Sequence, residues 1–144
     1  ILQSLKSGKF QRVLVTSNYG GTDFGLLNRL MQESKSIPLS WVYIDSIPTY
    51  PTSIPKALFQ RDRDDTQTWL LTRSEFLASR IDELRFIESH APDLNFKNLS
   101  LTNYLCPEKC IFERDGLPIY ADSNHLTQTE VSRLSRLLKP AISD

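Results

Sequence analysis

The segment Asp122-Ser123-Asn124-His125 has the residue types and the spacing that acyl chemistry at neutral pH requires. Histidine is the side chain whose ordinary pKa lies nearest to pH 7, so it is suited to act as a general base. A nearby aspartate can hold one ring nitrogen as an N–H and leave the other nitrogen free to accept a proton. The alternative is that Asp122 and His125 only cap the helix that follows.

A helix start directly after this segment would hold the histidine in one orientation. Thr127 and Glu130 have the spacing of a capping box, and Leu126 and Val131 have that of a hydrophobic staple. Apolar residues then recur at helical spacing, and Pro140 predicts the end of the helix. The apolar positions are Val131, Leu134, Leu137 and Leu138.

The composition limits the class of protein. The chain has 144 residues, 17 of them basic and 17 acidic, which indicates at most one domain and argues against nucleic acid as a partner. No apolar run approaches the roughly 18 residues of a membrane-spanning helix. The chain begins Ile1-Leu2-Gln3, and we interpret it as a processed or excised piece of a longer protein.

Two cysteines lie close together, at Cys106 and Cys110. A zinc site needs about four ligands, and the two histidines, His90 and His125, provide no matching second pair. The spacing also differs from the C-x-x-C of redox motifs. A loop closed by a disulfide is the favoured interpretation and would imply an oxidising compartment. Two reduced thiols are the alternative.

Apolar and β-branched runs alternate with segments of helical periodicity. Strands are predicted at Val13–Thr16, Trp41–Ile44 and Phe96–Leu101, and helices at Asp23–Lys35 and about Thr66–His90. Strands separated by helices predict βαβ units and a parallel sheet. Prolines 48, 51 and 55 predict a stretch without regular structure, and the charged run 61–65 predicts a loop.

Function in such sheets gathers at the carboxyl ends of the strands. Asn18 and Asp45 follow the first two strands, and Asp122 and His125 come later in the chain. The side-chain amide of Asn18 could stabilise an oxyanion there. On spacing alone, an ordinary turn residue before Gly20-Gly21 is the better interpretation of Asn18.

The C-terminal part of the chain resembles the end of the SGNH hydrolase domain. The resemblance rests on Leu105 to Cys110 and on Asp115 to Thr127, which includes the family's Asp-x-x-His-Leu block. More narrowly, these residues resemble the SGNH domain fused behind the membrane acyltransferase-3 domain of bacterial O-antigen and peptidoglycan acetyltransferases. Val13 to Asn18 resembles the third block of the family, and Trp41 to Pro48 resembles the strand and proline loop that follow.

The resemblance implies a three-layer α/β/α fold with a parallel sheet, of the SGNH or flavodoxin-like type. The family's nucleophile is the serine of a Gly-Asp-Ser block, which this chain lacks. We therefore interpret residues 1–144 as the C-terminal part of a single SGNH-like domain with its first strands missing. Ser17, Ser46 and Ser53 follow strands but have no family context, so none is nominated as the nucleophile.

The function implied is O-acyl transfer to, or ester hydrolysis on, cell-envelope glycan by a Ser-His-Asp mechanism with the serine outside this chain. His125 would be the base, Asp122 would orient it, and Asn18 would bind the oxyanion, with no metal or organic cofactor. The expected location is the periplasm or the extracytoplasmic face of the inner membrane, attached to a membrane acyltransferase domain. The isolated chain is expected to be inactive.

Two other classes of protein stay open. One is a noncatalytic SGNH-like module that binds glycans, which the missing serine favours. The other is a receiver-like or flavodoxin-like domain, which is disfavoured because no Gly-rich phosphate loop follows a strand. The strand Val13–Thr16 carries no charge or proline, so a truncated sheet would leave it as an unprotected edge. That edge predicts a homodimer or a complementing chain.

Overall fold

A computed structural model describes residues 1–17, 21–61 and 70–143. The chain forms two compact units, Ile1–Ser46 with Arg80–Ser100 and Ile47–Ser79 with Leu101–Asp144. The elements in chain order are α1 (Leu2–Lys6), β1 (Arg12–Thr16), α2 (Phe24–Glu33), β2 (Ser40–Ile44), α3 (Ile54–Arg61), α4 (Arg73–Ser79), α5 (Ile81–His90), β3 (Phe96–Leu99), α6 (Thr102–Leu105), β4 (Glu113–Arg114), β5 (Leu117–Pro118) and α7 (Gln128–Ser143).

The first unit contains a parallel sheet in the order β1-β2-β3. Val13 of β1 lies opposite Trp41 of β2, and Trp41 lies opposite Phe96 of β3. The central strand β2 is rich in β-branched and aromatic residues, and three of its five residues are buried. This arrangement confirms the predicted α/β class with a parallel sheet.

Aromatic side chains form much of the core of the first unit. The Phe86 ring of α5 lies 5.4 Å from the Tyr43 ring of β2 and 6.0 Å from the Phe96 ring of β3. Leu27 and Met31 of α2 are buried in the same cluster. Burial of each such side chain contributes about 1.5–3 kcal/mol, so α2 and α5 are fixed to the sheet mainly by apolar packing.

The prediction of one long helix over 66–90 is wrong. The described part of that segment forms α4 and α5, which are separated at Arg80. Arg80 is buried, and its guanidinium reaches Asp45 and Glu83 at 3.0 Å each. A buried guanidinium needs acceptors from several directions, and Asp45 and Glu83 provide them at the point where the helix is interrupted. Because the helix is interrupted, the face that α5 buries differs from the face predicted for one continuous helix: Phe86 is buried, whereas Ile81 is exposed.

Glu83 fixes the carboxyl end of β2. Its Oε1 accepts hydrogen bonds from the Tyr43 hydroxyl and the Ser46 backbone N–H, both at 2.8 Å, and its Oε2 accepts one from the Ser46 hydroxyl. Burial is the main reason that the pKa of Tyr43 is raised, so its hydroxyl remains a donor. Ser46 is therefore a buried structural donor.

The second unit corrects two expectations about proline. Helix α3 begins at Ile54, inside the predicted irregular stretch, because proline is tolerated in a first helical turn, where N–H groups lack helical partners. Pro140 lies inside α7, three residues before its end, where it removes a single backbone donor. The predicted charged loop lies outside the described residues, apart from Arg61, which ends α3.

Strands β4 and β5 form an antiparallel hairpin. Asp115 and Gly116 connect them with φ values of 54° and 77°. Two consecutive positive φ values are what a type I′ hairpin turn requires, and Asp-Gly is a preferred pair for it. Within the described part of the chain, no helix combines the length and the hydrophobicity that a membrane crossing needs.

Candidate active site

The Asp122–His125 loop projects from a short pair of antiparallel segments in the second unit. Tyr120 and Leu126 form an antiparallel bridge. The Ala121 N–H donates to the His125 carbonyl at 2.7 Å, and the Thr127 N–H donates to the Ile119 carbonyl at 2.9 Å. These backbone bonds fix both ends of the loop, so its four residues have little conformational freedom.

The Asp122 carboxylate organises the loop from within. Its Oδ1 accepts the backbone N–H groups of Asn124 at 2.9 Å and His125 at 2.8 Å. Its Oδ2 lies 2.7 Å from Nδ1 of His125. The first two bonds are an Asx-turn, which is a local motif that aspartate readily forms. The predicted contact between the Asp122 carboxylate and His125 Nδ1 is confirmed.

The same contacts determine the charge of Asp122. The N–H of Asn124, the N–H of His125 and then the His125 side chain lower the pKa of Asp122 to about 2. The carboxylate is therefore ionised at neutral pH and acts only as an acceptor. An acceptor facing Nδ1 requires the imidazole proton on that nitrogen, which leaves Nε2 as the basic nitrogen.

The imidazole is open to solvent. The side chain of His125 is 75% exposed, and that of Asp122 is 48% exposed. Nε2 of His125 has no hydrogen-bond partner among the described residues. A base oriented at one nitrogen and accessible at the other can exchange a proton with an external hydroxyl group.

The segment from the end of β2 to the start of α3 also donates hydrogen bonds to the main chain of the loop. The N–H of Tyr50 donates to the Ser123 carbonyl at 2.8 Å, and the N–H of Ile54 donates to the Asp122 carbonyl at 3.0 Å. Ile54 is the first residue of α3, and its N–H has no acceptor within that helix. The prolines of this segment predicted only a break in regular structure, so these supports were not expected from the sequence.

The capping box at the start of α7 is half formed. The N–H of Glu130 donates to Oγ1 of Thr127 at 3.3 Å. The Glu130 carboxylate is buried, with its oxygens 3.4 Å from Arg114 and 3.7 Å from Arg133. An unpaired buried carboxylate costs more free energy than the loss of the second capping-box bond, in which the Glu130 side chain would accept the Thr127 N–H. Glu130 therefore links α7 to the hairpin.

Cys106 and Cys110 form a disulfide, as the sequence favoured. Nη1 of Arg73 donates to the carbonyls of Cys106 and Pro107, the latter at 3.0 Å. The N–H of Cys110 donates to the Leu71 carbonyl at 3.0 Å. Both cysteines are buried, so the disulfide loop is a packed part of the second unit.

The remaining candidate residues have different outcomes. Asn18 lies outside the described residues, so its oxyanion role stays a prediction. The Ser17 hydroxyl lies 3.1 Å from that of Thr22. The carbonyl of Ser53 accepts the Ala57 N–H of α3 at 2.9 Å. Across the described ranges, no three His, Cys, Asp or Glu side chains are grouped as a metal site would require.

Comparison with known families assigns most of the chain to one family. The model of the SGNH domain fused to AT3 domains matches residues 8–140. The chain belongs to this family. The match spans both units and includes Asp122 and His125, so the resemblance suggested by the C-terminal motif is confirmed.

One solved structure is similar to this SGNH domain: the periplasmic domain of the Salmonella ser. Paratyphi A lipopolysaccharide acetyltransferase. The two sequences are 19% identical, the match covers 99% of this chain and 60% of that chain, and the TM-score is 0.68. The chain thus spans about 60% of the length of that structure, and the likeness establishes the fold. No curated protein sequence matches the chain.

Proposed function

We propose that this SGNH domain supplies the base and its orienting carboxylate for O-acyl transfer to, or ester hydrolysis on, cell-envelope glycan. The observation that carries the proposal is the 2.7 Å contact between Asp122 Oδ2 and His125 Nδ1, with Nε2 left exposed. Membership of the SGNH family supports the same chemistry. The solved relative is named as a lipopolysaccharide acetyltransferase domain, which supports an acetyl group and a sugar hydroxyl.

The proposed reaction begins with a serine that lies outside this chain. Its hydroxyl oxygen attacks the acyl carbonyl carbon while Nε2 of His125 takes the hydroxyl proton. Asp122 stabilises the imidazolium that forms. When the tetrahedral intermediate collapses, the bond to the leaving oxygen breaks and that oxygen receives the proton from Nε2. The product of this half-reaction is an acyl-serine ester.

The second half-reaction repeats these steps with a new nucleophile. Nε2 of His125 takes a proton from a sugar hydroxyl, or from water, as its oxygen attacks the acyl-serine carbonyl. The serine oxygen then leaves and recovers the proton. Donors such as Asn18 and backbone N–H groups would stabilise the oxyanion, a contribution of about 3–4 kcal/mol per donor elsewhere. These steps use no metal or organic cofactor.

The proposal extends to location and attachment. The matching family is described as fused to AT3 domains, which supports attachment of this domain to a membrane acyltransferase. The Cys106–Cys110 disulfide suits an oxidising compartment, and the solved relative is a periplasmic domain. We place the domain on the extracytoplasmic side of the inner membrane, with residues 1–144 as the C-terminal part of a single SGNH-like domain.

The test uses the intact parent protein. Hydrolysis of 4-nitrophenyl acetate and transfer of acetyl to a glycan acceptor are measured for the wild type, His125→Ala and His90→Ala. Loss of both activities in His125→Ala alone is the expected result. His90 ends α5, where its Nδ1 lies 2.9 Å from the Phe86 carbonyl, so its variant controls for the loss of a histidine. Full turnover in His125→Ala would refute the proposal.

A noncatalytic glycan-binding module is the second candidate function. The specific observation in its favour is that the 144-residue sequence contains no Gly-Asp-Ser. Under this alternative, the intact parent binds glycan but does not hydrolyse or transfer esters, and His125→Ala leaves the binding unchanged. Glycan binding measured alongside turnover separates the two candidates.

A further inference from the structure

Tyr50 makes one contact with the Asp122–His125 loop and one with the segment that leads into it. Its backbone N–H donates to the Ser123 carbonyl at 2.8 Å. Its ring meets the ring of Tyr120 edge-on, with the centroids 5.1 Å apart. Tyr120 is fully buried and comes two residues before Asp122, so Tyr50 contacts both the middle of the loop and the segment that leads into it.

The hydroxyl of Tyr50 makes a third contact, with the disulfide segment. It donates to the Ile111 carbonyl at 3.0 Å. Ile111 follows Cys110, and its N–H donates to the carbonyl of Leu105, the residue before Cys106, at 2.8 Å. The segment is thus closed twice, by a covalent bond and by a hydrogen bond. This double closure fixes the acceptor that the Tyr50 hydroxyl needs.

We infer that Tyr50 is a positioning residue for the Asp122–His125 pair and that it couples the Cys106–Cys110 disulfide to that pair. Contacts connect the disulfide to Ile111, Ile111 to the Tyr50 hydroxyl, and the Tyr50 backbone to the Ser123 carbonyl. The catalytic consequence rests on the proposed function, whereas the structural coupling does not.

The hydroxyl group is the part of Tyr50 that the coupling requires. Burial raises the pKa of Tyr50, so its hydroxyl stays protonated and remains a donor at every working pH. Phenylalanine would keep the backbone N–H and the aromatic contact but would leave the Ile111 carbonyl without this donor. Ile111 is partly buried, so its carbonyl has limited access to water, and losing its donor is expected to shift the segment.

The activity test compares two tyrosine variants of the intact parent. Tyr50→Phe is expected to lower kcat for ester hydrolysis by about 2- to 10-fold with KM unchanged, the factor that one net hydrogen bond represents. Tyr43→Phe is the matched control, because Tyr43 is equally buried and donates its hydroxyl to Glu83 in the first unit. The control is expected to lower the melting temperature and to retain kcat.

A double-mutant cycle tests the link to the disulfide. Cys106→Ala/Cys110→Ala is expected to lower kcat by a factor similar to that of Tyr50→Phe. The triple variant combines Tyr50→Phe with Cys106→Ala/Cys110→Ala. If the disulfide acts on the loop through Tyr50, its kcat is no lower than that of the slower of these two parent variants. If the fold-loss of kcat in the triple variant equals the product of the two separate fold-losses, the effects are independent and the coupling is overturned.

Amide hydrogen exchange provides a readout that does not depend on turnover. The N–H groups of Asn124 and His125 are bonded to Asp122, so exchange of the 120–126 segment reports the order of the loop. Faster exchange in Tyr50→Phe, but not in Tyr43→Phe, is expected. Exchange and kcat both equal to wild type in Tyr50→Phe would refute the inference. Absence of His125-dependent turnover in the wild type would instead refute the proposed function.

Discussion

Asp122 contacts His125 through both of its carboxylate oxygens. One oxygen accepts the backbone N–H of His125 at 2.8 Å, and the other lies 2.7 Å from its Nδ1. A single side chain therefore fixes both the backbone conformation and the ring tautomer of the histidine. A substitution at Asp122 can be chosen to change one of these without the other.

Asp122→Asn separates the two effects. The amide oxygen can still accept the backbone N–H groups of Asn124 and His125, but the amide NH₂ then faces Nδ1 as a donor. The imidazole proton must move to Nε2, the nitrogen that should accept the serine proton. We expect kcat of the intact parent to fall by about 10⁴-fold, as in a serine protease with the same substitution.

The control for this substitution is Asp82→Asn. Asp82 is an exposed residue of α5 that pairs with Arg85 at 3.2 Å, so its loss should leave turnover unchanged. Ester hydrolysis at saturating substrate is the measurement. Wild-type turnover in Asp122→Asn would mean that Asp122 only shapes the loop.

The isolated 144-residue chain is expected not to hydrolyse simple acetyl esters above background. It contains the Asp122–His125 pair but no Gly-Asp-Ser serine. Loss of either the serine or the histidine of such a triad removes nearly all of its catalysis. Initial rates of the chain and of its His125→Ala variant should coincide, and a His125-dependent rate would reveal a serine within residues 1–144.

The stability contributed by Asp122 should depend on pH. The pKa of its carboxyl is lowered to about 2 in the folded protein, from an ordinary value near 3.9 in an unfolded chain. A lowered folded-state pKa means that the contribution is present above about pH 4 and is lost as the pH falls through about 2.

Urea unfolding of the domain checks this prediction. The difference in free energy of unfolding between the wild type and Asp122→Ala should be largest at pH 5 and should shrink towards pH 2. Taking the difference removes the effect of other titrating groups, to a first approximation. A difference that stays constant across this range would contradict the assigned hydrogen bonds.

The edge of the sheet predicts self-association. Within the described residues, β1 pairs with β2 along one side and has no strand on its other side, and Leu14 is about half exposed. Arg12 is the charged residue of β1, and the rest of the strand, Val13–Thr16, carries no charge or proline, so its edge invites pairing with a second copy or with a complementing chain. We expect the 144-residue chain to sediment at micromolar concentration as a dimer or larger species.

Leu14→Lys is the matching variant, because a lysine on an edge strand opposes strand addition. It should shift the sedimentation profile towards the monomer. A wild-type chain that sediments as a monomer and melts cooperatively would mean that β1 is covered from within.

Local patterns predicted much of the fold. The strands β1 and β2 were placed to within one residue because continuous apolar runs with β-branched residues are typical of strands. The residues of β1 are only partly buried or exposed, because within the described residues no strand pairs with its outer side. Helix α2 was predicted from its periodicity, and Asp23 caps it by accepting the Leu26 N–H at 2.9 Å. The Asp122–His125 contact was predictable because it spans only three residues.

Features that depend on distant residues were missed. At the helix interruption, Arg80 pairs with Asp45, which is 35 residues away in the chain, and the local helical periodicity carries no sign of this pair. The supports that Tyr50 and Ile54 give to the loop join segments about 70 residues apart. Such pairs are formed by tertiary packing, which overrides local preference and which one sequence does not encode as a pattern.

Among the described residues, the two middle residues of the loop make hydrogen bonds through their main chain and not through their side chains. Ser123 contributes its carbonyl to Tyr50, and Asn124 contributes its N–H to Asp122. Related proteins should therefore show sequence drift at these two positions but no insertions, because one added residue would carry His125 away from the Asx-turn. The same two positions are suited to a small spectroscopic label, which would test whether a ligand approaches the pair while leaving the main-chain contacts of the loop in place.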